Sequence, residues 1–134
     1  MSSVVLDASV AVAVLAVTTS ASRVLADRLR TTTVHAPHLI DAEVGHVLRR
    51  RVAIGQVPAE QAAGALRALP DLVHQRYPHT ALSHAAWALR DNLTYHDALY
   101  VALASRLDIP LLTADMRLAR APGPPCAIEV IAQS

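Results

Sequence analysis

The chain has 134 residues, 53% of them hydrophobic, enough to fill the core of one compact domain spanning 1–134 and too few to suggest a second. A net charge of +1 and an aromatic content of 3% exclude bulk electrostatic capture of nucleic acid and a stacking platform for single strands. The lone Cys126 excludes an intrachain disulfide and a thiolate metal cage, which is compatible with a reducing cytoplasm.

Val4-Val5-Leu6 is a short continuous apolar run, the pattern of a parallel strand buried on both faces, and Asp7-Ala8-Ser9 leads from it into an Ala/Val/Leu helix ending near Val17. Residues 10–17 are unbroken apolar sequence, but no basic leader precedes them and Asp7 stands directly before them. They also fall well short of the roughly 20 residues that span a bilayer. The chain is therefore expected to be soluble, cytoplasmic and free of membrane association.

A second helix is expected over residues 21–30, and a β-branched strand over 32–36 that Pro37 breaks. A third helix begins after Asp41, buries Val44, Val47, Leu48 and Val52, and stops at Gly55. Pro58 sits in the first turn of a fourth helix that Pro70 closes, with Ala62, Leu66 and Leu69 inward. A short strand follows over 72–75, then a helix over 82–90 that Asn92 ends. Thr94 caps the next helix, which runs to Leu107, and the chain closes with a strand over 111–113, a short helix over 116–121 and a strand over 127–131. Strands alternating with helices, with few hairpin signals, predict a three-layer α/β/α domain around a parallel sheet.

Four carboxylates, Asp7, Glu43, Asp97 and Asp115, are spaced 36, 54 and 18 residues apart, and each falls where a strand or loop hands over to a helix. Each has a purely structural explanation. Asp7 and Asp115 suit helix N-caps, Thr94 and Asp97 have the spacing of a capping box, and Glu43 suits the positive end of a helix dipole. Four acids in the same kind of place point further, because strand-to-helix edges of an open α/β sheet converge on the crevice where such folds bind ligands.

Converging carboxylates repel and so imply a cation. Magnesium and manganese prefer hard oxygen ligands, a few carboxylates completed by water and substrate phosphate. Such ions activate a water on one side of a phosphodiester and stabilise the leaving oxygen on the other. Short Asp side chains fix the metal, a longer Glu reaches in from a neighbouring helix, and the hydroxyls of Ser9 and Thr113 orient water or carboxylate.

The segments VVLDAS, DAEVGHVLRR, TYHDALYVALA and LLTADMRLA resemble, in order, spacing and total length, the acidic motifs of PIN-domain ribonucleases, specifically the VapC-type toxins of bacterial toxin–antitoxin systems. The pattern departs locally at Gly45-His46 and at His96. The resemblance implies a Mg²⁺- or Mn²⁺-dependent endoribonuclease that cuts structured RNA, tRNA or rRNA, and inhibits translation. It makes Asp7, Glu43, Asp97 and Asp115 the catalytic, metal-holding cluster, with Ser9 and Thr113 in support. It also implies a cognate VapB-type antitoxin, a homodimer and a toxin–antitoxin hetero-oligomer.

His46 and Arg50 lie three and seven positions beyond Glu43 on one helical face, candidates for touching substrate or antitoxin, although a solvated face is the better explanation for them. Tyr95, Tyr100 and Trp87 read as core or dimer packing. Among rivals, a phosphoacceptor receiver domain needs a strand-end Lys, and this chain contains no Lys. A phosphatase with an Asp-x-Asp nucleophile needs an acid where Ser9 stands. The surviving alternative is a catalytically silent PIN-like protein acting only through its antitoxin complex.

Overall fold

A computed structural model of the chain describes residues 2–132; residues 1, 133 and 134 of the expected domain lie outside the described ones. In chain order the elements are β1 (Ser2–Leu6), α1 (Ala8–Ala16), α2 (Ser20–Leu29), β2 (Thr32–Pro37), α3 (Leu39–Ala53), α4 (Ala59–Leu72) and β3 (Gln75–Tyr77). A 3₁₀ turn (His79–Ala81) then leads to α5 (Ser83–Ala88), α6 (Tyr95–Leu107), β4 (Leu111–Thr113), α7 (Met116–Ala119) and β5 (Ile128–Val130).

The five strands form one all-parallel sheet in the order β3-β2-β1-β4-β5. Successive strand residues face opposite sides of a sheet. Val4, Val5 and Leu6 are all at most 2% exposed, so helices must cover both sides of β1. The packing agrees: α1, α3 and α4 pack together, while α5 packs on α6, which lies against β1, β2 and β4. Removing such Leu and Val side chains from water stabilises the fold by about 1.5–3 kcal/mol each.

This topology fixes where a ligand site belongs. The chain winds from β1 outward through β2 and β3, then returns to the other side of β1 for β4 and β5. Strand order therefore reverses between β1 and β4, and the crevice beyond their carboxyl ends is the topological switch point. Asp7 leaves β1 there and Asp115 leaves β4.

Several boundaries differ from those the sequence suggests. Pro37 is the last residue of β2 rather than its breaker, because His38 beside it supplies the N–H that reaches Tyr77 O at 2.9 Å. Helix α3 starts at Leu39, before Asp41, with His38 as an N-cap that offers no side-chain hydrogen bond. Pro58 is the N-cap of α4, and Pro70 lies inside that helix rather than closing it; the helix runs only two residues further, where Val73 N bonds Leu69 O.

The inward stripe of α4 is Ala62, Ala65 and Leu69, whose two alanines admit α1 closely, while Leu66 is 43% exposed. Because α4 persists to Leu72, the third strand shifts to residues 75–77. Tyr100 is buried, but Trp87 and Tyr95 are 61% and 43% exposed and lie outside the chain's own core. Trp87 instead carries the Arg90 guanidinium over its ring at 5.2 Å. No single helix among the described residues is long and apolar enough to cross a membrane.

Candidate active site

Asp7 ends β1 and caps α1, so its backbone is extended and its side chain turns back over the free amides of the first helical turn. Oδ1 accepts from Val10 N at 3.2 Å and from Ser9 Oγ at 2.5 Å, and Oδ2 accepts from Thr113 Oγ1 at 2.5 Å. The two hydroxyls have no choice of role. Ser9 Oγ also meets Ala114 N at 2.9 Å and Thr113 Oγ1 meets Asp115 N at 3.0 Å, and a backbone N–H only donates. Each hydroxyl therefore accepts from the β4–α7 turn and donates to Asp7, which ties the ends of β1 and β4 together.

Asp7 is only 8% exposed, and this burial pushes its carboxyl above the ordinary value of 3.8. The hydrogen bonds from Ser9, Thr113 and Val10 pull it back down, and the negative charge of Asp97 adds to the rise. Glu43, on α3, accepts from Tyr100 Oη at 2.6 Å through Oε1, while Oε2 stands 3.6 Å from His96 Nδ1. Tyr100 is held far above a normal phenol, first by burial, then by the charges of Glu43, Asp7 and Asp97. It stays protonated, a permanent donor ringed by three acids.

Asp97 and Asp115 meet on a cation. Asp97 lies in the first turn of α6, where its backbone N–H reaches Thr94 Oγ1 at 3.2 Å. Its carboxylate does not return to the helix cap but faces Arg117, whose Nη2 is 3.0 Å from Asp97 Oδ2 and 3.0 Å from Asp115 Oδ2. Asp115 also caps α7 by accepting from Arg117 N at 2.9 Å. Capping and clustering thus coexist in the same side chains.

All four predicted acids border one region, arranged as a linked row: Glu43 and Asp7 around Tyr100, then Asp97, then Asp115 across Arg117. Among the described residues no three Asp, Glu, His or Cys side chains close on a single point that would hold a metal. The donor set is nonetheless all hard oxygen, and the outer pair already converges on one positive charge. Exposed His46 lines a cleft of about 390 Å³ with Ala8, Glu43, Val47 and His96, beside the acids. Arg50, also exposed, borders a different hollow with Arg51, Ile54 and Gln56 further along α3, sharing only His46 and Val47 with the first.

Sequence reasoning missed two residues. Tyr100 resembles a core aromatic, and its only signal is its place three positions after Asp97, on the same helical face. Arg117 follows Asp115 by two positions and looks like any surface arginine.

The profile of the PIN domain family matches residues 4–124. The chain is 51% identical over 132 residues to Ribonuclease VapC1 of Mycobacterium tuberculosis, covering 98% of this chain and 99% of that one. It is 38% identical to Ribonuclease VapC9 of the same organism, over 96% of this chain and 98% of that one. Among solved structures, VapBC2 from Rickettsia felis, bound to a DNA fragment from its promoter, superposes with a TM-score of 0.72 at 14% identity, covering 97% of this chain and 99% of that one. Mycobacterium tuberculosis VapC20, a sarcin-ricin loop cleaving toxin, gives a TM-score of 0.64 at 18% identity, over 88% and 95% of the two chains.

Proposed function

Because this chain belongs to the PIN-domain family, among its VapC ribonucleases, we propose that it is a cytoplasmic, Mg²⁺- or Mn²⁺-dependent endoribonuclease toxin. Its substrate is a structured RNA, tRNA or rRNA, whose cleavage inhibits translation, and a VapB-type antitoxin neutralises it within a hetero-oligomer built on a toxin homodimer. The observation that carries this reading is Asp7: a nearly buried carboxylate at the switch point, held by two hydroxyls and facing the charge of Asp97. An acid whose only task was to cap α1 would need neither hydroxyl.

The residues present suit a hard divalent ion, since the donors are carboxylate oxygens and a guanidinium nitrogen already rests between Asp97 and Asp115 as a cation would. Bound among these acids, the ion supplies an activated water and a counter-charge for the leaving oxygen of a phosphodiester. The chain's own groups prepare the place. Ser9 and Thr113 fix both oxygens of Asp7 before substrate arrives, so this carboxylate need not reorganise during the reaction. Tyr100 pins Glu43 through Oε1 and leaves Oε2 turned toward His96 and the neighbouring cleft, available to accept a proton or a ligand water.

One observation favours the silent alternative: Arg117 bridges Asp97 and Asp115 and balances their charge from within the chain. Sequencing RNA ends after inducing the protein without its antitoxin separates the two. New ends at a defined site with wild type and none with Asp7→Asn support the nuclease. Identical end maps for the two would leave only the binding role.

A further inference from the structure

Arg117 is 67% exposed at its side chain, yet its guanidinium is committed to the acids. One nitrogen, Nη2, lies 3.0 Å from carboxylates on two different elements, and the backbone N–H of the same residue donates to the second oxygen of Asp115 at 2.9 Å. Asp115 is therefore gripped on both oxygens by a single residue. A guanidinium keeps its charge at any pH at which the chain folds, so Arg117 does not let go of these acids by losing a proton. Another cation can.

A divalent ion taking oxygens from Asp97 and Asp115 at about 2.0–2.1 Å would need the space that Nη2 fills, and its charge would repel the guanidinium. Resting on the metal-dependent reading above, we propose that Arg117 is an internal counter-cation of the outer carboxylate pair, and that it must give up Asp97 and Asp115 as a divalent ion is taken up. Metal affinity is then set by competition with a side chain of the same molecule. Released, the guanidinium has somewhere to go: the cleft of about 520 Å³ that Arg117 already lines with Asn92, Leu93, Asp97 and Arg120. Exposed ion pairs are individually weak, so the competition is modest and reversible.

The test is calorimetric titration of the full-length, antitoxin-free protein with Mn²⁺, for wild type, Arg117→Gln, Arg117→Lys and, as a control on the exposed side of α4, Arg67→Gln. Two exposed ion pairs correspond to a gain of about three- to tenfold in affinity for Arg117→Gln. Arg117→Lys, which keeps the charge without the fork, should fall between it and wild type, and Arg67→Gln should stay near wild type. The side-chain ¹⁵N resonance of Arg117, identified by its absence in Arg117→Gln, should move with added Mg²⁺ along the binding isotherm. Wild-type or weaker affinity in Arg117→Gln, an equal gain in Arg67→Gln, or an unmoved Arg117 resonance at metal saturation would overturn the proposal. If neither wild type nor Arg117→Gln binds metal, the metal-dependent reading itself fails and this one with it.

Discussion

Thr113 and Asp7, 106 residues apart in sequence, are joined by a 2.5 Å hydrogen bond between the ends of β4 and β1. Thr113 is fully buried, and its hydroxyl also accepts from Asp115 N, so one oxygen serves two of the four acids. Thr113→Val keeps the shape but strands a buried carboxylate and an amide. It should destabilise the chain by about 2–3 kcal/mol in urea unfolding, the scale of a hydrogen bond to a charged group. Thr113→Ser should recover most of that loss. A Val variant as stable as wild type would show that the hydroxyl does not support Asp7.

Burial holds Asp7 above its ordinary value of 3.8, so the folded chain takes up this proton at higher pH than the unfolded chain. The stability it contributes is fully present below that ordinary value and is lost as pH rises through the folded value. In chelator, wild type should therefore lose stability across this window relative to Asp7→Asn, which has no proton to give up there. Urea unfolding over a pH series measures it; parallel profiles would contradict the raised carboxyl. With metal present, Asp7→Asn should lower RNA cleavage by at least about 10²–10³-fold.

Tyr100→Phe removes only the hydroxyl that pins Glu43. The ring stays, and Glu43 retains access to water, so the expected stability loss is about 1 kcal/mol. Cleavage should fall further, roughly 10- to 100-fold, because Glu43 loses its fixed orientation. The chain has three tyrosines. In an alkaline absorbance titration of wild type, Tyr100 should ionise only as the protein unfolds, and that late phase should be missing from the Phe variant. A Tyr100 that titrates like a free phenol would remove the basis for its role.

Arg28 and Glu129 form a two-pronged ion pair between α2 and the edge strand β5. The bond from Arg28 draws Glu129 below its ordinary 4.5, so its stabilisation is present above that value and is lost as pH falls through the folded one. Both side chains are nearly half exposed, 43% and 45%, which limits the pair to about 1 kcal/mol or less. Glu129→Gln should thus melt slightly below wild type at neutral pH and level with it in acid. A gap that persists in acid would assign the loss to packing.

What the sequence made legible follows from burial. Residues 4–6 and 111–113 read as strands because both of their faces are covered, which leaves continuous apolar runs. The edge strand β3 was expected three residues too early, since Gln75, Arg76 and Tyr77 are polar and only partly covered, and the helical α4 before it ran through Pro70. Asp7 and Asp115 were legible because they leave strand ends, where parallel sheets present side chains to ligands, and Glu43 and Asp97 because each stands in the early part of a helix. Tyr100 and Arg117 were not. Their importance lies in which acids they touch across the fold, and neither a buried aromatic nor a surface arginine announces its partner in one dimension.

On the proposed function, the carboxylates of Asp7, Asp97 and Asp115, with Glu43 beside them, are the seat of a divalent ion. Anomalous scattering from crystals of the antitoxin-free protein soaked in Mn²⁺ tests it directly. A manganese peak is expected within about 2.2 Å of oxygens from at least two of these acids, with Arg117 Nη2 moved away. Manganese bound elsewhere or nowhere, in protein that still cuts RNA, would contradict it.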